Sequence, residues 1–420
     1  MEKINKIISL LENNQHEEAM KHYQQILQKG HNDDRFHLGE KLLQLGFLEE
    51  AKLLFERLLK TYPEEGELLV LLAETLMELG DEEQAILELE KIHENDPSYP
   101  QGLLLLADLY QMEGLYEVCE RKLLMAKEKL PDEIIIDFAL GEFYSEQGRF
   151  LEAIDAYKKV LEEKDELASV SINERLAEAL SAGGAFEEAL PFYEKSLSQK
   201  LEINTLFNYG LTALQAGQTR TAIEKLTELK ELDPEYHSLY LYLAKAYEKE
   251  EELTVAYQTV LEGIKQDDFN KDLFFCAGKL ALKTGKETEA EQHFREAIVL
   301  DPEFSEAALT LNKILLKQER YEDVLEIVQL MEAEDVEEPQ FLWDAAIAFW
   351  HTEEFSLALN KYQLAYTYFK NDVEFLSDYG YFLIEEGKRE DAAEIFSKLL
   401  NLDPLNEEYQ DILQRLTENM

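Results

Sequence analysis

Residues 271–304 read KDLFFCAGKLALKTGKETEAEQHFREAIVLDPEF. Apolar residues recur at helical spacing on both sides of a polar turn centred on Gly285, which predicts two short helices joined back to back. Gly285 ends the first helix at little steric cost. Ala290 follows five residues later, where a larger side chain would hold the two helices apart, and Phe294 lies one turn further along the same buried face. Gly278, in the middle of the first helix, costs up to about 1 kcal/mol against alanine, so its presence implies close packing rather than helix propensity. Pro302 stands where the second helix must stop, its missing N–H and fixed φ doing no harm there.

The pattern extends in both directions. Aligned on the small residue of the second helix, the chain carries Ala19, Ala51, Ala85, Cys119, Ala153, Ala189, Ala222, Ala256, Ala290, Val324, Ala358 and Ala392. The spacings are 32, 34, 34, 34, 36 and 33, followed by five of 34. Turn glycines recur at Gly46, Gly80, Gly114, Gly148, Gly184, Gly217 and Gly387, and small first-helix residues from Gly39 to Gly380. Pro63, Pro97, Pro131, Pro234 and Pro404 mark further unit boundaries. A period of this length, kept through twelve units, is the signature of a repeat architecture.

This pattern resembles the tetratricopeptide repeat, or TPR, whose signature is a small residue at the eighth position, Gly or a polar residue at the fifteenth, Ala at the twentieth, an aromatic at the twenty-fourth and Pro at the thirty-second. The resemblance implies an all-α fold, a TPR alpha-alpha superhelical solenoid. Residues 1–404 are expected to form a continuous array of about twelve units, and 405–420 a C-terminal capping helix whose charged residues protect the open end of the stack. Three places depart from the pattern: Ile7 and the 32-residue spacing of the first unit, the 36-residue spacing after the fifth, and Asn312 with Val324 in the tenth.

In the family, first helices line the concave side of the superhelix, with the second, fifth, ninth, twelfth and thirteenth positions of each unit facing the groove. Carried onto this chain, the ninth position presents Glu40, Glu74, Asp108, Glu142 and Glu178 in succession, joined at the thirteenth by Glu78 and Glu146. Such an acidic ladder would capture a basic or amino-terminal segment of a partner, or would simply be a solvated face of an acidic chain. Three consecutive units then place lysine at both positions: Lys245 and Lys249, Lys279 and Lys283, Lys313 and Lys317. Members of each pair are four apart and share one helical face. They suit carboxylates or an acidic peptide, the alternative being that they offset neighbouring acids such as Glu248 and Glu251.

Fifth positions in the same region are apolar, with Phe207, Leu241, Phe275, Leu309 and Trp343, and Trp350 stands at a twelfth position. These cannot ligate a carboxylate, so the Lys/Asn clamp by which some TPR co-chaperones hold a peptide terminus is not implied. They fit a partly apolar groove in which aromatic and aliphatic anchors supply affinity and lysines select register. The two tryptophans are seven apart on one helix, and packing against neighbouring helices is an equal reading. Phe36, Val70, Leu104 and Phe138 carry the apolar line through the acidic half, so a partner's basic part would lie toward the N-terminal half and its acidic part toward the lysines.

The 420 residues include 41 Lys and Arg against 89 Asp and Glu, a formal charge of -48. That field repels phosphate backbones and argues against nucleic acid as a partner. No run of roughly 18 apolar residues would span a membrane, and the N-terminal stretch lacks a secretory apolar core, so a cytoplasmic protein without membrane insertion is expected. Cys119 and Cys276 are too few for a disulfide framework and read as packing residues. The eight histidines form no HExxH motif and read as surface or turn residues, no calcium-loop order or glycine-rich phosphate loop occurs, and no cofactor, metal or catalytic set is expected. The leading reading is a non-enzymatic scaffold or adapter that binds protein or peptide partners. A self-associating structural solenoid is the alternative.

Overall fold

The structure, a computed structural model, describes residues 2–167 and 169–418; residues 419 and 420, at the end of the expected capping segment, lie outside the described residues. The chain forms two compact units, Met1–Leu201 and Glu202–Met420.

Among the described residues, the first unit holds six antiparallel helix pairs: α1 Glu2–Glu12 with α2 His16–Lys29, α3 Asn32–Gln44 with α4 Leu48–Leu59, and α5 Gly66–Glu78 with α6 Glu82–Leu89. Next come α7 Tyr99–Met112 with α8 Tyr116–Lys129, α9 Ile134–Glu146 with α10 Phe150–Glu163, and α11 Ile172–Ala182 with α12 Phe186–Gln199. The second holds six more: α13 Ile203–Gln215 with α14 Thr219–Leu232, α15 Ser238–Lys249 with α16 Leu253–Gln266, and α17 Lys271–Lys283 with α18 Glu287–Leu300. They continue as α19 Ser305–Lys317 with α20 Tyr321–Ala333, α21 Pro339–His351 with α22 Phe355–Phe369, and α23 Val373–Glu385 with α24 Arg389–Leu402. A final single helix, α25 Glu407–Thr417, packs on α24.

The same turn closes every pair. Between α17 and α18, Gly285 has φ +75°, its N–H reaches the Leu282 carbonyl at 3.0 Å, and the Lys286 N–H reaches the Ala281 carbonyl at 2.8 Å. This is the Schellman geometry, which satisfies carbonyls a helix end leaves orphaned. The turn forms even where glycine is missing: Asn14, Glu251, Glu319 and Glu353 adopt φ between 58° and 62° at the equivalent place. Tertiary packing therefore dictates the turn, and glycine only makes it easier.

The mid-helix glycines meet the aromatic of their own pair. A Cβ on Gly278 would lie 2.6 Å from Phe294 Cε1, and one on Gly141 would lie 2.6 Å from Tyr157 Cε1. The repeating small residues Ala19 to Ala392, with Cys119 and Val324, are all fully buried. Apolar burial along both faces of each pair is the dominant favourable term.

The irregular spacings have separate physical forms. After α10, the two extra residues belong to a short antiparallel pairing of β1 Glu166–Leu167 with β2 Val170–Ser171, Glu166 opposite Ser171 and Leu167 opposite Val170. Asp165 ties it down, pairing with Lys195 at 2.6 Å and accepting from Asn173 at 3.2 Å. In the tenth pair, Asn312 is wholly buried and donates to the Asp344 carboxylate of α21 at 3.0 Å, so a polar link replaces the usual small-residue contact. Among the described residues, no helix is long and apolar enough to cross a membrane.

Candidate interaction surfaces

First helices of successive pairs lie side by side, as α5 does with α7 and α15 with α17, so residues at the same repeat position come together across neighbours. In the first unit this assembles the acidic series, each member at least partly solvent-exposed. Burial raises the Glu74 carboxyl, opposed by a hydrogen bond from Gln101 at 3.2 Å, and burial alone raises that of Asp108. Glu40 lies 3.2 Å from the His37 ring. At the end of the series the charge is partly offset, because Arg175 lies between Glu142 at 3.2 Å and Glu178 at 3.0 Å. Glu142 also accepts from the Tyr157 hydroxyl at 2.5 Å. Asp108, Glu142 and Glu146 share the lining of a cavity of about 450 Å³ with Leu104, Ile135 and Phe138.

In the second unit all six lysines are exposed, and they divide into two rows. The thirteenth-position row is tied: Lys249 donates to the Leu214 carbonyl at 3.3 Å, Lys283 pairs with Glu248 at 2.8 Å and Lys317 with Glu287 at 2.9 Å. In the ninth-position row, Lys245, Lys279 and Lys313 have no carboxylate partner among the described residues. Lys245 lies over the Tyr242 ring, 5.5 Å from its centroid, and Lys279 over Phe275 at 4.5 Å. The buried thiol of Cys276 registers their common field: burial pushes it up to about 11, with Glu248 adding to the rise and Lys245, Lys279 and Lys283 opposing it.

The aromatic residues divide by exposure. Phe207 is half-buried against Tyr236 and Tyr242, with ring centroids 5.0 and 5.7 Å away. Phe275 is only 7% exposed, between Phe294 and Phe304, and Trp343 only 9%, against Phe369 and Phe375. Both therefore serve the core first and offer little more than an edge. Trp350 is half-exposed, stacks on His351 and donates Nε1 to Glu385 at 2.8 Å.

A cavity of about 640 Å³ opens between α19, α21 and α23, with Lys313, Leu316, Trp343, Asp344, Glu374 and Asp378 among its lining. Trp343 Nε1 donates to Asp378 at 3.2 Å, yet burial still pushes this carboxyl up to about 6, with Glu374 and Asp372 adding to the rise. Asp344 is raised by burial too and accepts from Gln340 at 2.9 Å and from Asn312. The spacing of the repeats gave no sign of this carboxylate-rich wall, although Asp344 and Asp378 stand one 34-residue period apart.

Cys119 and Cys276 are both buried, and burial raises the Cys119 thiol to about 11 as well, which suits packing residues. His293 differs from its expected surface or turn place. It is half-buried in the middle of α18, within 3.1 Å of the Tyr257 hydroxyl, and burial lowers its pKa. Among the described residues, no three His, Cys, Asp or Glu side chains are grouped to hold a metal ion.

Twelve antiparallel helix pairs among the described residues, closed by one turn geometry and packed through one small position, define a tetratricopeptide-repeat protein. The general tetratricopeptide-repeat family matches residues 42–109, the YpiA-like tetratricopeptide repeats 111–165, and the YpiA-like C-terminal tetratricopeptide repeats 339–406. The TPR repeat-containing protein YpiA of Bacillus subtilis (strain 168) is 41% identical over 415 residues, covering 99% of this chain and 98% of its own length. The chain belongs to the YpiA-like tetratricopeptide-repeat family. Similar solved structures include YrrB, a TPR protein with an unusual peptide-binding site, at 19% identity over 44% of this chain and 95% of that one, with a TM-score of 0.38. The Cut9–Hcn1 hetero-tetramer structure of the APC/C matches over 98% of this chain and 95% of that one, at 12% identity and a TM-score of 0.36. TPR architecture is that of a protein-interaction scaffold and points away from catalysis.

Proposed function

We propose that this chain is a non-enzymatic cytoplasmic scaffold that docks acidic segments of partner proteins on the first-helix face of α15, α17 and α19, and basic segments on the acidic face of α3 to α11. One observation carries the reading: in a chain with 89 acidic residues, Lys245, Lys279 and Lys313 stay exposed and without a carboxylate partner among the described residues. Lysines kept only to offset local charge would pair, as Lys283 and Lys317 do. An unpaired row at one repeat position instead offers a complementary potential to an incoming acidic segment, which raises encounter rate and fixes register. Phe275, beneath Lys279, supplies an apolar edge to the same row.

Crosslinking capture from cytoplasm tests this, with wild type compared against Lys245→Glu/Lys279→Glu/Lys313→Glu and against the same changes at Lys249, Lys283 and Lys317. The ninth-position variant loses a specific partner and the thirteenth-position variant keeps most of it. Equal recovery by all three proteins would remove the reading. Light scattering that shows concentration-dependent assembly, with no heterologous partner captured, would favour a self-associating solenoid.

A further inference from the structure

The cavity between α19, α21 and α23 reverses the sign of the lysine row. Lys313 stands on its α19 wall, while Asp344, Glu374 and Asp378 occupy the α21 and α23 walls, with no cation partner for any of the three among the described residues. Asp344 is 4% exposed, and its two oxygens accept only from the neutral amides of Gln340 and Asn312. Behind it, the wholly buried Asn312 keeps its own Oδ1 without a partner. A carboxylate removed from water and left without a counter-charge is costly, and a cation brought into the cavity relieves that cost. The indole of Trp343 and the side chains of Leu309, Leu316 and Ile347 give the same space apolar walls.

Resting on the proposed docking of acidic segments, we infer that this cavity receives an arginine side chain of the same partner segment, placed just beyond the acidic residues that meet the lysine row. A guanidinium fits better than an ammonium: it is planar and divides its donors between two carboxylates, whereas lysine offers a compact, strongly hydrated point charge. Packed helices lie about 8–10 Å apart and an extended chain advances about 3.3 Å per residue, so acids and arginine recur roughly every third residue along the partner.

Both tryptophans of the chain lie on α21, so intrinsic fluorescence reports directly on this cavity. The probes are acetyl-EGSEGSR-amide and the same peptide with citrulline, which keeps the shape and removes the charge, titrated into the full chain at low salt. The arginine peptide gives a saturable change and binds at least about tenfold tighter than the citrulline peptide. Glu374→Gln, at an exposed position, and Asp378→Asn each reduce that ratio by at least about threefold with little effect on the citrulline peptide. Lys279→Glu, on α17 and outside the cavity lining, weakens both peptides alike and leaves the ratio unchanged.

Equal binding of the two peptides, an arginine preference that survives both carboxylate variants, or no saturable change with the arginine peptide would each overturn the inference. An intact ratio with no loss in the lysine variant would leave the arginine pocket standing and remove the lysine-row reading. Far-UV circular dichroism confirms that each variant is folded, and the exposed Glu374→Gln keeps the test decisive if Asp378→Asn fails to fold.

Discussion

Glu251, Glu319 and Glu353 each hold a left-handed backbone, φ 62°, 58° and 62°, at a turn where eight other pairs have glycine. An L-residue there costs about 1–2 kcal/mol, partly offset by the lower chain entropy it brings to the unfolded state. Replacing each by glycine is expected to stabilise the protein by roughly 0.5–1 kcal/mol, read as a rise in urea midpoint. Gly285→Ala makes a clean control, since no atom lies within 4 Å of the added Cβ, and it destabilises through backbone conformation alone. Asp378 gives a pH-dependent counterpart. Its folded pKa of about 6 lies above the ordinary carboxylate range, so the native state binds the proton more tightly than the unfolded chain does. The group therefore contributes nothing adverse below about pH 4, becomes destabilising as pH rises through about 6, and stays so above. Asp378→Asn is expected to match wild type near pH 4 and to exceed it near pH 7.5 by on the order of 1 kcal/mol, after allowance for partial solvent screening. A constant difference across that range would show that the effect is not one of titration.

The pairing of elements was legible because each pair carries its own punctuation: a turn residue, a small residue five positions on and an aromatic four further. The 36-residue spacing announced an insertion after α10 but not its form, because the β1–β2 pairing is fixed by Asp165 reaching Lys195, thirty residues away. Burial of Trp343 was equally hidden, since Phe369 and Phe375 flank a turn a full helix later. Which lysines are tied was hidden too. Glu248 belongs to α15 and Glu287 to α18, whereas their partners Lys283 and Lys317 stand on α17 and α19. Asn312 looked only like an exception to a small-residue position, and its reason stands 32 residues on, in the Asp344 of α21. The link between these two helices can be measured. Asn312→Ala leaves Asp344 a single amide donor and is expected to cost about 1–3 kcal/mol. Adding Asp344→Ala removes the stranded charge, so the double variant should be less destabilised than the sum of the singles by at least about 1 kcal/mol. Simple additivity in the urea midpoints would mean that the two side chains do not support one another.

At the scale of the whole chain, a formal charge of -48 sets two salt effects against each other. Most of the ion pairs that tie neighbouring helices involve side chains well exposed to water, and such pairs individually contribute about 0–1 kcal/mol. Repulsion among the surplus carboxylates opposes folding throughout the molecule, and salt screens it beyond a distance of about 10 Å at 0.1 M. Raising NaCl from about 20 to 200 mM should therefore raise the urea midpoint, because more like-charge repulsion than ion-pair attraction is lost. Docking of an acidic segment on Lys245, Lys279 and Lys313 depends on attraction across exposed surface, so the same change should weaken it, chiefly through a slower association rate. The two readouts move in opposite directions on one sample, which separates a surface that recognises acidic segments from lysines that merely reduce the net charge. In the latter case association would be unaffected while the midpoint still rose. A midpoint that falls with salt would instead show that the cross-helix pairs, Lys283 with Glu248 among them, outweigh the repulsion and hold the repeats together electrostatically.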